Sequence, residues 1–418
     1  MDRTRFYERY AQIVVRLGMN VQEDQEVLIR APVEATSFVP YVVAECYRSG
    51  AKYVHVLYSD QAVKRARLEY ARDQTLSVVP DAEIAERVRI ARAGGASLAV
   101  LGEDPMGLAG VDAVRRGTVS RAMAQATNEY RELAMKDHFP WCVISVPNPA
   151  WAARVYPDLS PEQGLDALFD AVGRACRLDH EDPVAAWRDH SERLTRIAEQ
   201  LTTERFDHFV YSAPGTELTV GMPENHVWIG TESQSAAGVR FIANLPTDEV
   251  FSAPDWRRVE GTIQTTRPMV LGGVNVGLGQ FTITGGKITD ATCERDQAML
   301  EQELDLDDRA RYFGELALVS EDAPIAREQK TFYDGLYDEN AGCHLAFGNA
   351  YALCVSGGAR MGTEQKSAAG LNTSMQHYDF TVGSDKLQIT GYRGDGSTVP
   401  IISDGRWSEE LLAAAEEG

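Results

Sequence analysis

The feature that most constrains this chain is a change of period near Phe206. Before it, runs that repeat every two residues alternate with runs that repeat every three or four, the two signatures of strand and helix. Segments 26–31 (EVLIRA), 53–58 (YVHVLY), 97–102 (SLAVLG) and 142–146 (CVISV) read as strands. Helical patterns cover 6–17, 35–48, 61–72 and 114–136, and Gly50 stands where a glycine ends a helix. Strand and helix in rotation predict parallel strands with helical crossovers. Residues 160–205 are polar and helical and read as a bridge. From Phe206 the runs shorten to HFVYSAPGTELTVGM, NHVWIG, VRFIANLP and VNVGLGQFTITGGKITDA. The Gly285 and Gly286 pair sits between two β-like runs, as a hairpin turn would. The expectation is an α/β N-terminal domain over 1–205 and a β-rich α+β C-terminal domain over 206–418.

Bulk properties exclude several functions. The 418 residues are 44% hydrophobic, enough for a real core and for two or three domains. The opening residues, MDRTRFYERY, hold no apolar stretch that would serve as a signal peptide. The longest apolar runs are far short of the roughly 20 residues that a membrane span requires. A soluble, cytoplasmic protein is expected. Six scattered cysteines form no CxxC pair, which argues against a thiolate zinc site and a disulfide framework. A net charge of −21 would repel nucleic acid. The same balance suits a solvated surface or a carboxylate-rich metal site. PVEATS follows the first strand without a glycine, and no GxxxxGK[ST] loop occurs, so a nucleotide fold is not expected. HExxH and GxSxG are also missing.

The residues with metal-binding chemistry lie in the C-terminal half. MQHYDFTVG alternates like a strand, so His377, Asp379 and Thr381 face one way while Tyr378, Phe380 and Val382 face the other. Imidazole nitrogen and carboxylate oxygen side by side suit a divalent ion. Glu315 interrupts the otherwise apolar FGELALV, and a buried carboxylate is costly unless paired or ligated. His344 stands among small and apolar residues in ENAGCHLAFGNAY, with Glu339 upstream before a turn and Tyr351 downstream. Glu249, in LPTDEVFSAPD, follows a proline and opens a loop, where Asp248 could replace it on sequence alone. Cys343 and His344 make no thiol dyad, because adjacent strand residues point to opposite faces. His180 and His190, in the charged bridge, read as solvated.

LPTDEVFSAPD, FGELALVSEDAPI, DENAGCHLAFGNAYA and MQHYDFTVGS together resemble the blocks of the thermophilic metalloaminopeptidases, the aminopeptidase T, aminopeptidase S and PepS group. The likeness extends over most of the chain. It implies two divalent metal ions per chain, held by Glu249, Glu315, Glu339, His344, His377 and Asp379, with Tyr351 as the active-site tyrosine. It also implies a homodimer acting on peptide substrates from their N-termini. Glu315 is the candidate bridge between ions, and Glu339 is either a ligand or the base. Such a donor set accepts zinc, cobalt, manganese or magnesium. The alternative is a mononuclear Fe(II) ring-cleaving dioxygenase using His344, His377 and Asp379, which would leave the three glutamates without work.

Overall fold

The computed structural model describes residues 1–271 and 274–417. It divides into two compact units: Met1–Arg188 with Glu232–Pro246, and Asp189–Thr231 with Thr247–Gly418.

The first unit is built on a five-stranded parallel sheet. Its order is Tyr53–Ser59, Glu26–Pro32, Ala96–Leu101, Trp141–Ser145 and Asn244–Leu245. Val27, Leu28 and Ile29 in a row are fully buried, as expected of a parallel strand covered on both faces. The expected strands are present within a residue or so at each end. Two helical details differ from expectation. The pattern over 114–136 is two helices, Ala113–Ala126 and Asn128–Met135, broken at Thr127, whose hydroxyl donates back to the Met123 carbonyl at 2.8 Å. A further helix, Asp81–Arg92, has its apolar residues too sparsely placed to stand out in the sequence.

The last strand of this sheet comes from beyond residue 206. Asn244–Leu245 pairs parallel to Trp141–Ser145, which takes Glu232–Pro246 into the first unit. The helix Pro183–Glu204 begins in the first unit and runs mostly in the second. The unit boundaries therefore differ from the expected division at 205/206.

The second unit holds two large antiparallel sheets and a two-stranded one, Met269–Leu271 with Val274–Gly277. The larger has eight strands, in the order Lys287–Cys293, Gly279–Thr284, Val259–Gln264, Thr216–Gly221, His208–Ala213, Gln388–Tyr392, Thr398–Ser403 and Arg406–Trp407. Gly285 and Gly286 both have positive φ, 57° and 83°, and close the expected hairpin. The smaller sheet has four strands, in the order Glu249–Ser252, Phe313–Val319, His344–Gly348 and His377–Thr381. Val250, Leu316, Leu318, Leu345, Phe347 and Phe380 form its apolar face and join one core with Phe281, Ile283 and Phe209 of the larger sheet. The Phe380 ring lies 5.0 Å from that of Phe281.

A β-bulge sets the other face of the small sheet. The register between its two central strands shifts between Phe313 and Glu315, so that Phe313 opposes Phe347 while Glu315 opposes Ala346. Phe313 thus points into the core and Glu315, two residues on, points to the opposite face. Gly314 makes this possible: a Cβ there would stand 2.3 Å from the Asn349 carbonyl oxygen and 2.5 Å from that of Gly348. Among the described residues no helix is long and apolar enough to cross a membrane.

Two substitutions test this packing. Phe380→Ala should lower unfolding free energy by about 3–5 kcal/mol, read from the denaturant midpoint. Gly314→Ala should cost about 1–3 kcal/mol, because the added methyl meets backbone and no flexible side chain can yield. A Gly314→Ala protein as stable as the parent would show that the bulge does not need glycine.

Candidate metal centre

The polar face of the four-stranded sheet collects the chemistry. His344 opposes Thr381 and Ala317, while Ala346 lies between Glu315 and Asp379. Glu249 opposes Val319, and His377 opposes Gly348. Glu249, Glu315, His344, His377 and Asp379 therefore share one face by register alone. Ala346 and Gly348, small residues in the middle, leave room between the longer side chains. Glu249 opens a strand and not the loop expected of it, because it is paired across to the Glu315 strand.

Glu315 is the centre of the arrangement. Its Oε1 lies 3.4 Å from His344 Nε2 and its Oε2 lies 3.5 Å from His377 Nε2. His344 Nε2 is also 3.3 Å from Glu249 Oε2, and His377 Nε2 is 3.2 Å from Asp379 Oδ1. Two groups follow, each with ligand atoms within 4.8 Å of one another: Glu249, Glu315 and His344, and Glu315, His377 and Asp379. Glu315 belongs to both. The second nitrogen of each imidazole is turned to the backbone. His377 Nδ1 meets the Asn349 carbonyl at 2.7 Å, and His344 Nδ1 meets that of Gly342 at 3.3 Å. Such backbone contacts orient a ligating histidine.

Glu339 and Tyr351 stand beside these groups. Glu339 starts a 3-10 turn, Glu339–Ala341, and lines the same cavity as His344, His377 and Asp379. The Tyr351 ring centre is 5.2 Å from that of His377. All seven residues expected from the sequence thus gather in one region of the second unit.

Electrostatics show a surplus of negative charge. Burial, against the pull of His344 and with Glu315 and Asp379 adding, raises the Glu249 carboxyl to about 7. Burial and the neighbouring Asp379 and Glu249 carboxylates push Glu339 well above the usual range. Burial opposes a charge on His344, but Glu315, Glu249 and Asp379 outweigh it and raise the imidazole to about 10. His377 likewise reaches about 10, its burial outweighed by Asp379, Glu315 and the Asn349 carbonyl. Several buried atoms still have no hydrogen-bond partner: Glu249 Oε2, His344 Nε2 and Asp379 Oδ1. Orphaned buried polar atoms are costly and rare. Oxygen and nitrogen donors left open toward one space, with excess negative charge, fit a divalent cation.

Two supporting residues escaped the sequence reading. His190 is not solvated: its Nε2 lies 2.9 Å from the Thr247 carbonyl and 3.3 Å from Asp248 Oδ1. Asp248 is thereby engaged away from the site, which leaves Glu249 alone to face it. Asn340 Oδ1 accepts the Asp248 N–H at 2.6 Å while its Nδ2 donates to the Leu336 carbonyl at 2.8 Å. It ties the segment before Glu249 to the turn that carries Glu339. His190 and Asp248 are too far apart in sequence for any local pattern to link them.

Residues 4–407 match the thermophilic metalloprotease (M29) family. Aminopeptidase 2 of Geobacillus stearothermophilus is 38% identical over 404 residues, covering 97% of this chain and 98% of the relative. Aminopeptidase T of Thermus thermophilus is 36% identical over 400 residues, covering 96% and 98%. The solved structure of wild-type AmpT from Thermus thermophilus superposes with a TM-score of 0.91 at 35% identity, over 97% of this chain and 99% of that one. The chain belongs to the thermophilic metalloprotease family M29.

Proposed function

We propose that the protein is a metal-dependent aminopeptidase that releases N-terminal residues from peptides in the cytoplasm, as a homodimer. Glu249, Glu315, His344, His377 and Asp379 would hold two divalent ions, Glu315 being the residue common to both ligand groups. The observation that carries this reading is the membership of Glu315 in both ligand groups, one carboxylate oxygen directed to each. Family membership and relatives named as aminopeptidases support the reaction class. They give no support to the Fe(II) dioxygenase alternative, and that reading leaves Glu249, Glu315 and Glu339 unused.

When bound, the ions supply an activated water as nucleophile and polarise the scissile carbonyl. The residues of the chain do the rest. Glu249 and His344 fix one side of Glu315, and His377 and Asp379 fix the other. Glu339 is in neither ligand group among the described residues, yet lines the cavity. This favours a proton-handling role at its carboxylate over service as a sixth ligand. Tyr351 is partly exposed, and burial together with Glu315 and Asp379 holds its hydroxyl protonated far above neutral pH. It is therefore a hydrogen-bond donor toward the oxyanion that develops on the peptide carbonyl.

Glu315→Ala should abolish both metal loading, read by elemental analysis per chain, and hydrolysis of Leu-p-nitroanilide. Tyr351→Phe should retain metal and lose about 100- to 1,000-fold in kcat, the usual cost of one oxyanion donor. Chelator-treated protein should be inactive and recover with zinc, cobalt, manganese or magnesium. Full peptidase activity in metal-free Glu315→Ala, or oxygen uptake on a pyridine diol by the parent protein, would overturn the assignment.

A further inference from the structure

The cavity lined by Glu339, His344, His377 and Asp379 also carries two basic residues on its wall, Arg267 and Lys330. Arg267 is anchored through its neighbour. Thr266 donates its N–H to the Thr381 carbonyl at 2.9 Å and its hydroxyl to the Gly383 carbonyl at 2.6 Å, beside the end of the Asp379 strand. The Arg267 guanidinium is half-buried and donates one hydrogen bond, from Nη2 to the Ala326 carbonyl at 3.3 Å. Among the described residues no carboxylate comes within the 4.0 Å of an ion pair with it. Arg257, Arg258, Arg311 and Arg393 of the same unit each hold a carboxylate. A guanidinium has five N–H donors in a fork that matches a carboxylate. Arg267 lines the cavity where the peptide would be cut, and among the described residues the Ala326 carbonyl is the one protein acceptor its fork meets.

We propose that Arg267 recognises a carboxylate carried by the substrate close to the scissile bond. This rests on the aminopeptidase reading and adds a substrate class to it: small peptides with a free carboxylate next to the cleaved residue. Cavity size limits how far away that carboxylate lies. The volume is about 250 Å³, below the roughly 300–1,000 Å³ of ordinary small-molecule sites. A dipeptide's α-carboxylate falls inside such a space, as does an acidic side chain on the second residue. The terminus of a long peptide does not.

The test compares kcat/KM for Leu-Gly, Leu-Gly-amide, Leu-Asp-amide and Leu-p-nitroanilide in the metal-loaded parent protein, Arg267→Met and Arg267→Lys. Metal content and thermal midpoint are measured alongside. The parent should prefer a carboxylate-bearing peptide over Leu-Gly-amide by about tenfold to a hundredfold, and Arg267→Met should bring that ratio to within about twofold with unchanged metal content. Arg267→Lys, which keeps charge but not the fork, should retain part of it. Preference for Leu-Gly identifies the α-carboxylate as the group read, and preference for Leu-Asp-amide identifies the side chain. Parent ratios near one for both peptides overturn the proposal even if a variant fails to fold. So does an equal fall for all four substrates in Arg267→Met, which would make Arg267 a general counter-charge. A parent that cleaves none of the four overturns the aminopeptidase reading itself.

Discussion

Glu249, Glu315, Glu339 and Asp379 are crowded with His344 and His377 onto one side of a small sheet, largely out of water. Like charges at this distance in a medium less polar than water repel strongly. In the metal-free protein burial, with the neighbouring carboxylates adding to it, raises Glu249 and Glu339, and the same carboxylates outweigh burial at both imidazoles and bring them to about 10. Such a cluster persists only where the backbone gives its members no freedom to separate. The antiparallel ladder does this for five of the six, since each residue is fixed by the pairing of its neighbours. Glu339, on a turn, depends instead on Asn340 and its bond to the Asp248 N–H.

The opposite face of the same sheet supplies the stability that the polar face lacks. Leu316, Leu318, Leu345, Phe347 and Phe380 are almost wholly buried against the eight-stranded sheet. Each fully buried side chain of this kind contributes about 1.5–3 kcal/mol. One strand thus serves both purposes, apolar residues toward the core and ligands away from it. The bulge at Gly314 is where the two demands would conflict. Without it, Phe313 and Glu315 would share a face, and one of them would be misplaced.

The parts of this design set by local period were legible in the sequence. Alternation in MQHYDFTVG placed His377 and Asp379 together, and the carboxylate within FGELALV marked Glu315 as ligated or paired. The Gly285 and Gly286 hairpin was equally plain, because a two-residue turn with positive φ selects glycine. What depended on distant pairing was not legible. Asn244–Leu245 joins the parallel sheet of the first unit although it lies among β-hairpins in sequence. Glu249 read as a loop residue because the strand it begins is only four residues long and is stabilised by its partner. His190 read as solvated because its neighbours on the helix are charged, whereas the segment that covers it is nearly sixty residues away.

Charge balance explains why a basic residue belongs in this cavity at all. In the proposed loaded state, four carboxylates and two divalent ions sum to no net charge. A neutral peptide group would lose little on entering such a site, since bound divalent ions would act as Lewis acids toward its polar atoms. A carboxylate arriving with it must leave water, and the neutral cluster offers it no surplus attraction. Recognition then requires a separate cation that is not already engaged. Arg267 meets that condition because the carboxylates nearest in effect, Glu321 and Asp338, stop short of pairing with it. A guanidinium paired with either would be silent toward substrate. One held by a single backbone carbonyl is positioned yet still has donors to give, which is the arrangement expected of a residue that discriminates among peptides and does not hold the fold together.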